Sequence, residues 1–244
     1  MHIKLTLALT TKIKLKENIM LKVALDDFRA EFLEKFPKEK AAIMQRATDA
    51  LAVEFQTRQL LQVGDIAPDF YLSNAVGKKI RLSEKLKEGA VILTFYRGGW
   101  CPYCNLELRA YQKVLPQIDE LGASLLAVSP QTPDASLSTA EKNDLEFDVL
   151  SDVGSKVAEA YGIAFTLPDE LKALYIELGH PLPDTNGTDD WMLPIPATFA
   201  IAQNQRVILA HVDVDYRDRL EPSEAISALQ KLLIQADRSE IIYF

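Results

Sequence analysis

Ala90 to Tyr96 is a run of apolar and β-favouring residues, bounded by Gly89 before it and by Gly98 and Gly99 after it, as expected of a buried central strand. It passes through Arg97 and Trp100 into Cys101, Pro102, Tyr103 and Cys104, and helical spacing then runs through Leu106, Ala110, Val114, Ile118 and Leu121. A strand handing over directly to a helix restricts the chain to an α/β core, with both cysteines at the joint. Pro116 implies a kink in this helix and Gly122 a stop.

The joint also dictates chemistry. At a helix start the unpaired backbone N–H groups and the positive end of the macrodipole favour a thiolate over a thiol. Lowering a thiol pKa from about 8.5 to about 7 raises its thiolate fraction at neutral pH from a few per cent to about half. Pro102 suits the first helical turn, where its missing N–H costs nothing, and it holds one shape between the two sulfurs. A disulfide closing so short a loop restricts the unfolded chain by roughly 2 kcal/mol at most, so reactivity explains the pair better than stapling does.

These two are the only cysteines in the 244 residues, which excludes a stabilising disulfide framework. Tetrahedral zinc needs four ligands, and the three histidines, His2, His180 and His211, would have to converge from distant segments. Inert buried thiols are the other non-redox alternative. No metal and no other cofactor is expected. A net charge of -8 disfavours nucleic acid and anionic lipid as partners. No apolar run reaches the roughly 18 residues that a membrane span needs. Lysines at 4, 12 and 14 interrupt the apolar residues of Met1 to Leu15, which therefore lack the h-region of a secretory signal. A cytoplasmic location is expected. Met20 offers a second start, with the stretch before it as an upstream extension.

Two helices are read between Met20 and Val63, from Leu21, Leu25, Phe28, Phe32 and Leu33 and then from Ile43, Met44, Ala47, Leu51 and Phe55, with a break at Phe36 and Pro37. Residues 1–62 thus form an N-terminal helical extension, an arm for packing on the domain or on a second subunit. Residues 63–244 form the main domain. A short hairpin around Phe70 to Leu82 leads in, and Ser124 to Ser129 and Phe147 to Leu150 give further strands. Leu137 to Asn143 and Lys156 to Tyr161 read as helices, Thr198 to Ala202 and Arg206 to Val212 as an antiparallel hairpin, and Pro222 to Ala236 as a closing helix. This order describes an α/β domain with a mixed sheet. Residues 165–194 are an insertion the pattern does not require, either a surface excursion or a flap over the cysteines.

The run TFYRGGWCPYCNLELRAYQKVL from Thr94 to Leu115 resembles the peroxiredoxin-like branch of the alkyl hydroperoxide reductase and thiol-specific antioxidant (AhpC/TSA) family. The resemblance extends through VGDIAPDFYL, SPQTPDASLSTAEKNDLEFDVLSDVG, LPIPATFAI and VDVDYRDRLEP, and covers most of the chain from about Leu21 to Leu233. It implies a thioredoxin-like fold, a central mixed β-sheet flanked by helices. It also implies an oxidoreductase that reduces hydroperoxides with a thioredoxin or glutathione system as reductant, and a homodimer is among the assemblies to expect.

Counted from Phe95 and Tyr96, the family's peroxidatic position is Cys104. Arg97 then stands at the position of the family's proline, Cys101 at that of its threonine and Pro196 at that of its arginine. Those departures are what a thioredoxin has, with Cys101 attacking, Cys104 resolving and Pro196 as a cis-proline facing them. Arg97, and Arg217 or Arg219 if their loop folds back, are candidates to support the thiolate electrostatically. Trp100 is expected beside the sulfurs, shaping a docking surface. Three functions remain open: a thiol peroxidase, a general thiol-disulfide oxidoreductase, and a non-enzymatic redox sensor. The attacking cysteine is left open with them, the outer sulfur being expected to be accessible.

Overall fold

In the computed structural model, which describes residues 20–241, β3 (Val91–Phe95) lies inside a seven-stranded sheet. It pairs in parallel with β4 (Ser124–Ser129) and antiparallel with β8 (Ala197–Ile201). β5 (Asp148–Ser151) continues the parallel part, and the hairpin β1 (Tyr71–Asn74) and β2 (Lys79–Arg81) finishes that edge. β9 (Val207–Val212) closes the other edge, giving the order β2-β1-β5-β4-β3-β8-β9. The reading of residues 1–19 as an extension lies outside the described residues.

All of β3 is buried because both sheet faces are covered. Val91, Leu93 and Phe95 face one core, with Phe199, Tyr161 and Ile195. Ile92 and Tyr96 face the other, under α4 (Pro102–Glu120), where Leu108, Tyr111 and Ile118 complete the helix's apolar stripe. Each such side chain stabilises the fold by about 1.5–3 kcal/mol relative to exposure, which fixes the register of β3 and hence the position of its C-terminal end. α4 passes through Pro116, whose missing N–H leaves the carbonyl of Gln112 without its helical partner, and ends before Gly122 at φ +65°.

The arm consists of α1 (Leu21–Lys35) and α2 (Lys38–Phe55), broken at Phe36 and Pro37 as the spacing predicts. Leu21 and Leu25 join the core that holds the cysteines. The Glu221 carboxylate accepts from the N–H groups of Leu21 and Lys22 at 3.2 and 2.6 Å, so an anion sits on the N-terminus of α1. α3 (Leu82–Glu88) follows β2, a helix the sequence reading did not contain. α5 (Pro133–Asn143), α6 (Lys156–Ala160) and α9 (Pro222–Ile241) complete the layers. No described helix is long and apolar enough to cross a membrane.

The insertion is structured. β6 (Ala164–Thr166) and β7 (Met192–Pro194) pair as a separate antiparallel ribbon, with α7 (Asp169–Glu177) and α8 (Leu182–Asn186) between them. Leu167, Leu171, Leu174, Leu182 and Leu193 form its own small core, against which Ile43, Met44 and Ala47 of α2 pack. Tyr175 in α7 reaches from this core to Arg97, which follows β3 and donates to its hydroxyl.

Candidate active site

Cys101 is the N-cap of α4, with φ -86° and ψ 115°, and Pro102 is the first helical residue. The turn before it depends on two glycines. Gly98 has φ +148°, and a Cβ there would lie 2.4 Å from Trp100 Nε1. A Cβ on Gly99 would lie 2.2 Å from Thr139 Oγ1. The Gly99 N–H donates to Gln131 Oε1 at 2.7 Å and its carbonyl accepts from Asn105 Nδ2 at 2.9 Å. Asn143 Nδ2 donates to Asn105 Oδ1 at 2.8 Å and Arg109 donates to Asn143 Oδ1 at 2.7 Å, so a polar chain from α4 and α5 holds the turn.

Cys101 and Cys104 sit three residues apart at the start of α4 in the same core, and both are free. Burial pushes the Cys101 thiol up, but a hydrogen bond from Cys104 and the charges of Arg97 and Arg219 outweigh it and bring its pKa down to about 6. Cys104 moves the other way. Burial and its role as donor beside an ionised Cys101 push it well above the ordinary thiol value. The two shifts run in opposite directions and favour Cys101 as the thiolate.

Arg219 Nη2 donates to Cys104 Sγ at 3.5 Å, and its Nε donates to Glu107 Oε2 at 2.7 Å. Both side chains of this ion pair are only 1% exposed. Glu107 Oε1 accepts from Thr94 Oγ1 at 3.5 Å, and Thr198 donates to Thr94. Burial pushes the Glu107 carboxyl up to about 7 despite Arg219. The loop after β9 folds back as the expectation for Arg219 requires. Arg217 does not reach the sulfurs: its guanidinium is taken by Asp215 and Gln45.

Arg97 is buried at the end of β3 and donates to the Tyr175 hydroxyl. Its guanidinium carbon lies 4.2 Å from the centre of the Tyr216 ring and 5.1 Å from that of Trp100. Among the described residues no carboxylate pairs with it, and its Nε has no partner. Trp100 packs edge-on against Tyr175 and lies near His180, while Tyr103 packs edge-on against Phe28 and Tyr216.

This aromatic cover corrects one expectation. The outer sulfur is not accessible: Cys101 is 2% exposed and Cys104 0%. The residues that close the site come from the arm, the insertion and the loop after β9, each outside the strand-to-helix joint from which accessibility was inferred. Both sulfurs lie in the apolar core with Ile92, Tyr96 and Leu108, and two guanidinium groups and one carboxyl are buried beside them.

A second expectation is also overturned. No cis peptide occurs among the described residues, so the bond from Ile195 to Pro196 is trans. Pro196 sits between β7 and β8, where the Ile195 N–H donates to the carbonyl of Ile163, and it lines a cavity beside Arg97. Cys101, Cys104, Arg97, Trp100, Pro102 and Arg219 come together. Glu107, Tyr175 and Tyr216 were missed. Glu107 had a signal, since it lies one turn from Cys104 on an otherwise apolar stripe; Tyr175 and Tyr216 had none, being placed by tertiary docking alone.

The AhpC/TSA family model matches residues 63–210. The chain is 32% identical over 110 residues to the thiol-disulfide oxidoreductase ResA of Bacillus cereus, covering 45% of this chain and 62% of that protein. It thus spans less than two thirds of the length of that relative. It is 33% identical over 103 residues to the putative peroxiredoxin bcp of Haemophilus influenzae, covering 42% of this chain and 66% of that protein. Among solved structures, the peroxidoxin BcpB of Mycobacterium tuberculosis superposes with TM-score 0.56 and 22% identity, over 70% of this chain and 97% of that one, a likeness of thioredoxin-like fold.

Proposed function

Because this chain belongs to the AhpC/TSA family, we propose that it is a thiol-dependent peroxidase in which Cys101 attacks a hydroperoxide and Cys104 resolves the product. One observation carries the reading: Cys101 caps the start of α4 with Cys104 in its first turn, and the buried guanidinium groups of Arg97 and Arg219 stand beside them, which draws the Cys101 thiol down while burial holds Cys104 up. The thiolate attacks the terminal peroxide oxygen, the O–O bond breaks, and the leaving alkoxide or hydroxide takes up a proton. Cys101 becomes a sulfenic acid. Cys104 then loses its proton and attacks the Cys101 sulfur, expelling water and forming the disulfide. Two thiols of a thioredoxin or glutathione system return the pair to the dithiol state.

The enclosure favours a small oxidant. A hydroperoxide needs only a narrow path to a thiolate, whereas a mixed disulfide, whether with a protein substrate or with the thioredoxin that recycles the pair, needs the cover to open. Arg97 and Arg219 hold the thiolate and meet the charge that develops on the leaving oxygen. Trp100 closes the site, Pro102 shapes the turn, and Pro196 borders the approach. A cytoplasmic setting, where thiols are kept reduced, suits the cycle. Val23, Leu33 and Val53 are exposed on the arm, which is the face a homodimer would use.

A second reading, a thiol-disulfide oxidoreductase acting on protein disulfides, draws on the Cys101 and Cys104 spacing and on the likeness to ResA. It requires the aromatic cover to open. Stopped-flow mixing of reduced protein with hydrogen peroxide and with cumene hydroperoxide decides between them. Saturable turnover with thioredoxin, lost in Cys101→Ser, supports the peroxidase. Consumption no faster than a free thiol, with insulin disulfides still reduced, overturns it in favour of the second reading; failure of both, with a partner that binds only one redox state, leaves a sensor.

A further inference from the structure

A cavity of about 160 Å³ lies between α2, the insertion and the end of β3, with Arg97 in its wall. Its walls are mostly apolar, with Ala47, Leu51, Phe165, Leu171, Ile195 and Pro196 among them. A space of this size holds a ring or about six carbons of a chain, and its open side leaves room for one or two more. Two polar groups face it with unused capacity. Arg97 has an unpartnered Nε and no carboxylate partner among the described residues. The Tyr216 hydroxyl has as its partner only the Met44 sulfur, at 3.8 Å, a weak acceptor. Of the other polar residues in the lining, the Thr48 hydroxyl donates to the carbonyl of Met44, Tyr175 accepts from Arg97, Glu54 is paired with Arg58, and Thr166 is exposed.

Burying a guanidinium without an anion is costly. The Cys101 thiolate offsets the charge of Arg97 only while the pair is reduced and ionised. We propose that this cavity binds a small amphiphilic monocarboxylate, its head on Arg97 and Tyr216 and its chain of about six to eight carbons along Leu51, Leu171 and Ile195. Binding of the head group and ionisation of Cys101 compete for one guanidinium, so the ligand prefers the state in which Cys101 carries no charge. By reciprocity the same ligand shifts the pair toward the disulfide. The binding stands on the cavity alone, while the shift rests on the proposed disulfide chemistry.

Isothermal titration with octanoate at pH 8 tests this, using reduced wild type, the disulfide form, Cys101→Ser and Leu51→Trp. Cys101→Ser removes the thiolate without requiring any redox activity, so a failed enzymatic reading and a failed binding site are told apart. Octanoate is expected to bind Cys101→Ser and the disulfide form about tenfold more tightly than the reduced wild type, about one pKa unit of competition at Arg97. 1-Octanol, which has the chain without the charge, is expected to bind at least tenfold more weakly than octanoate to Cys101→Ser. Leu51→Trp fills the cavity at a distance from the sulfurs and is expected to abolish binding in a folded protein. Equal binding of octanol and octanoate, unchanged binding in Leu51→Trp, or no heat with Cys101→Ser would each overturn the proposal.

Discussion

Arg219 is shared between the Cys104 sulfur, 3.5 Å from Nη2, and the Glu107 carboxylate, 2.7 Å from Nε, so the Cys104 thiol and a buried acid answer to one cation. Arg219→Met should therefore cost about 3–5 kcal/mol in urea unfolding, because it leaves Glu107 buried without a partner. Most of that loss should return in the double variant with Glu107→Gln. If the single variant is as stable as wild type, the pair is not a structural element.

Glu107 titrates near neutrality and lies on the Cys104 side of the enclosure. Glu107→Gln should leave the burst of peroxide consumption intact and slow disulfide formation about tenfold, since Cys104 must lose its proton in that step. Trapping the sulfenic acid with dimedone during turnover reads this directly, and an unchanged yield of adduct would remove Glu107 from the resolving step.

The depressed Cys101 pKa makes the reduced protein's stability depend on pH. The folded thiolate forms near pH 6 while the unfolded thiol ionises near the ordinary thiol value of about 9. The contribution is therefore complete above about pH 9 and is lost as pH falls through 6, at about 1.4 kcal/mol per unit of difference. The disulfide form lacks this ionisation, so the gap between reduced and oxidised unfolding midpoints should change in favour of the reduced form from pH 6 to pH 8. A gap that stays constant would mean that Cys101 is not ionised in the fold. Thiolate absorbance at 240 nm, with Cys104→Ala raising the midpoint, checks the assignment.

Tyr175 ties the insertion to Arg97. Tyr175→Ala should loosen the cover and raise the rate of iodoacetamide alkylation of Cys101 at pH 8 by about tenfold, an opening change of about 1.4 kcal/mol. An unaltered rate would assign closure to Tyr216 and the arm instead.

Gly99→Ala drives a Cβ to 2.2 Å from Thr139 Oγ1 and should destabilise the protein by about 1–3 kcal/mol. Thr139→Ala in the same chain should recover part of it, because removing the hydroxyl relieves the closest contact. No recovery would locate the damage in the backbone of the turn.

The joint and its consequences were legible in the sequence. Ala90 to Tyr96 announced a strand buried on both faces, Gly98 and Gly99 the turn, and Pro102 the helix start, because each depends on local sterics or a short hydrophobic run. The arm's break at Pro37 and the β8 and β9 hairpin belong to the same class. α3 went unread because Leu82 to Glu88 is too short for a periodic signal and lies between turn residues. Accessibility of Cys101 and the geometry at Pro196 were misjudged for another reason. Burial of a residue depends on what docks over it, and Phe28, Tyr175 and Tyr216 are remote in the chain, with spacing that carries no mark of where they will pack.

The cover over Cys101 draws on both halves of the polypeptide, with Tyr175 and Tyr216 following the cysteines in the sequence. A ribosome releases the reactive joint well before it releases the side chains that shut it away. The nascent chain thus carries a bare thiol pair, open to cellular oxidants and to other proteins, until its last third has emerged and docked.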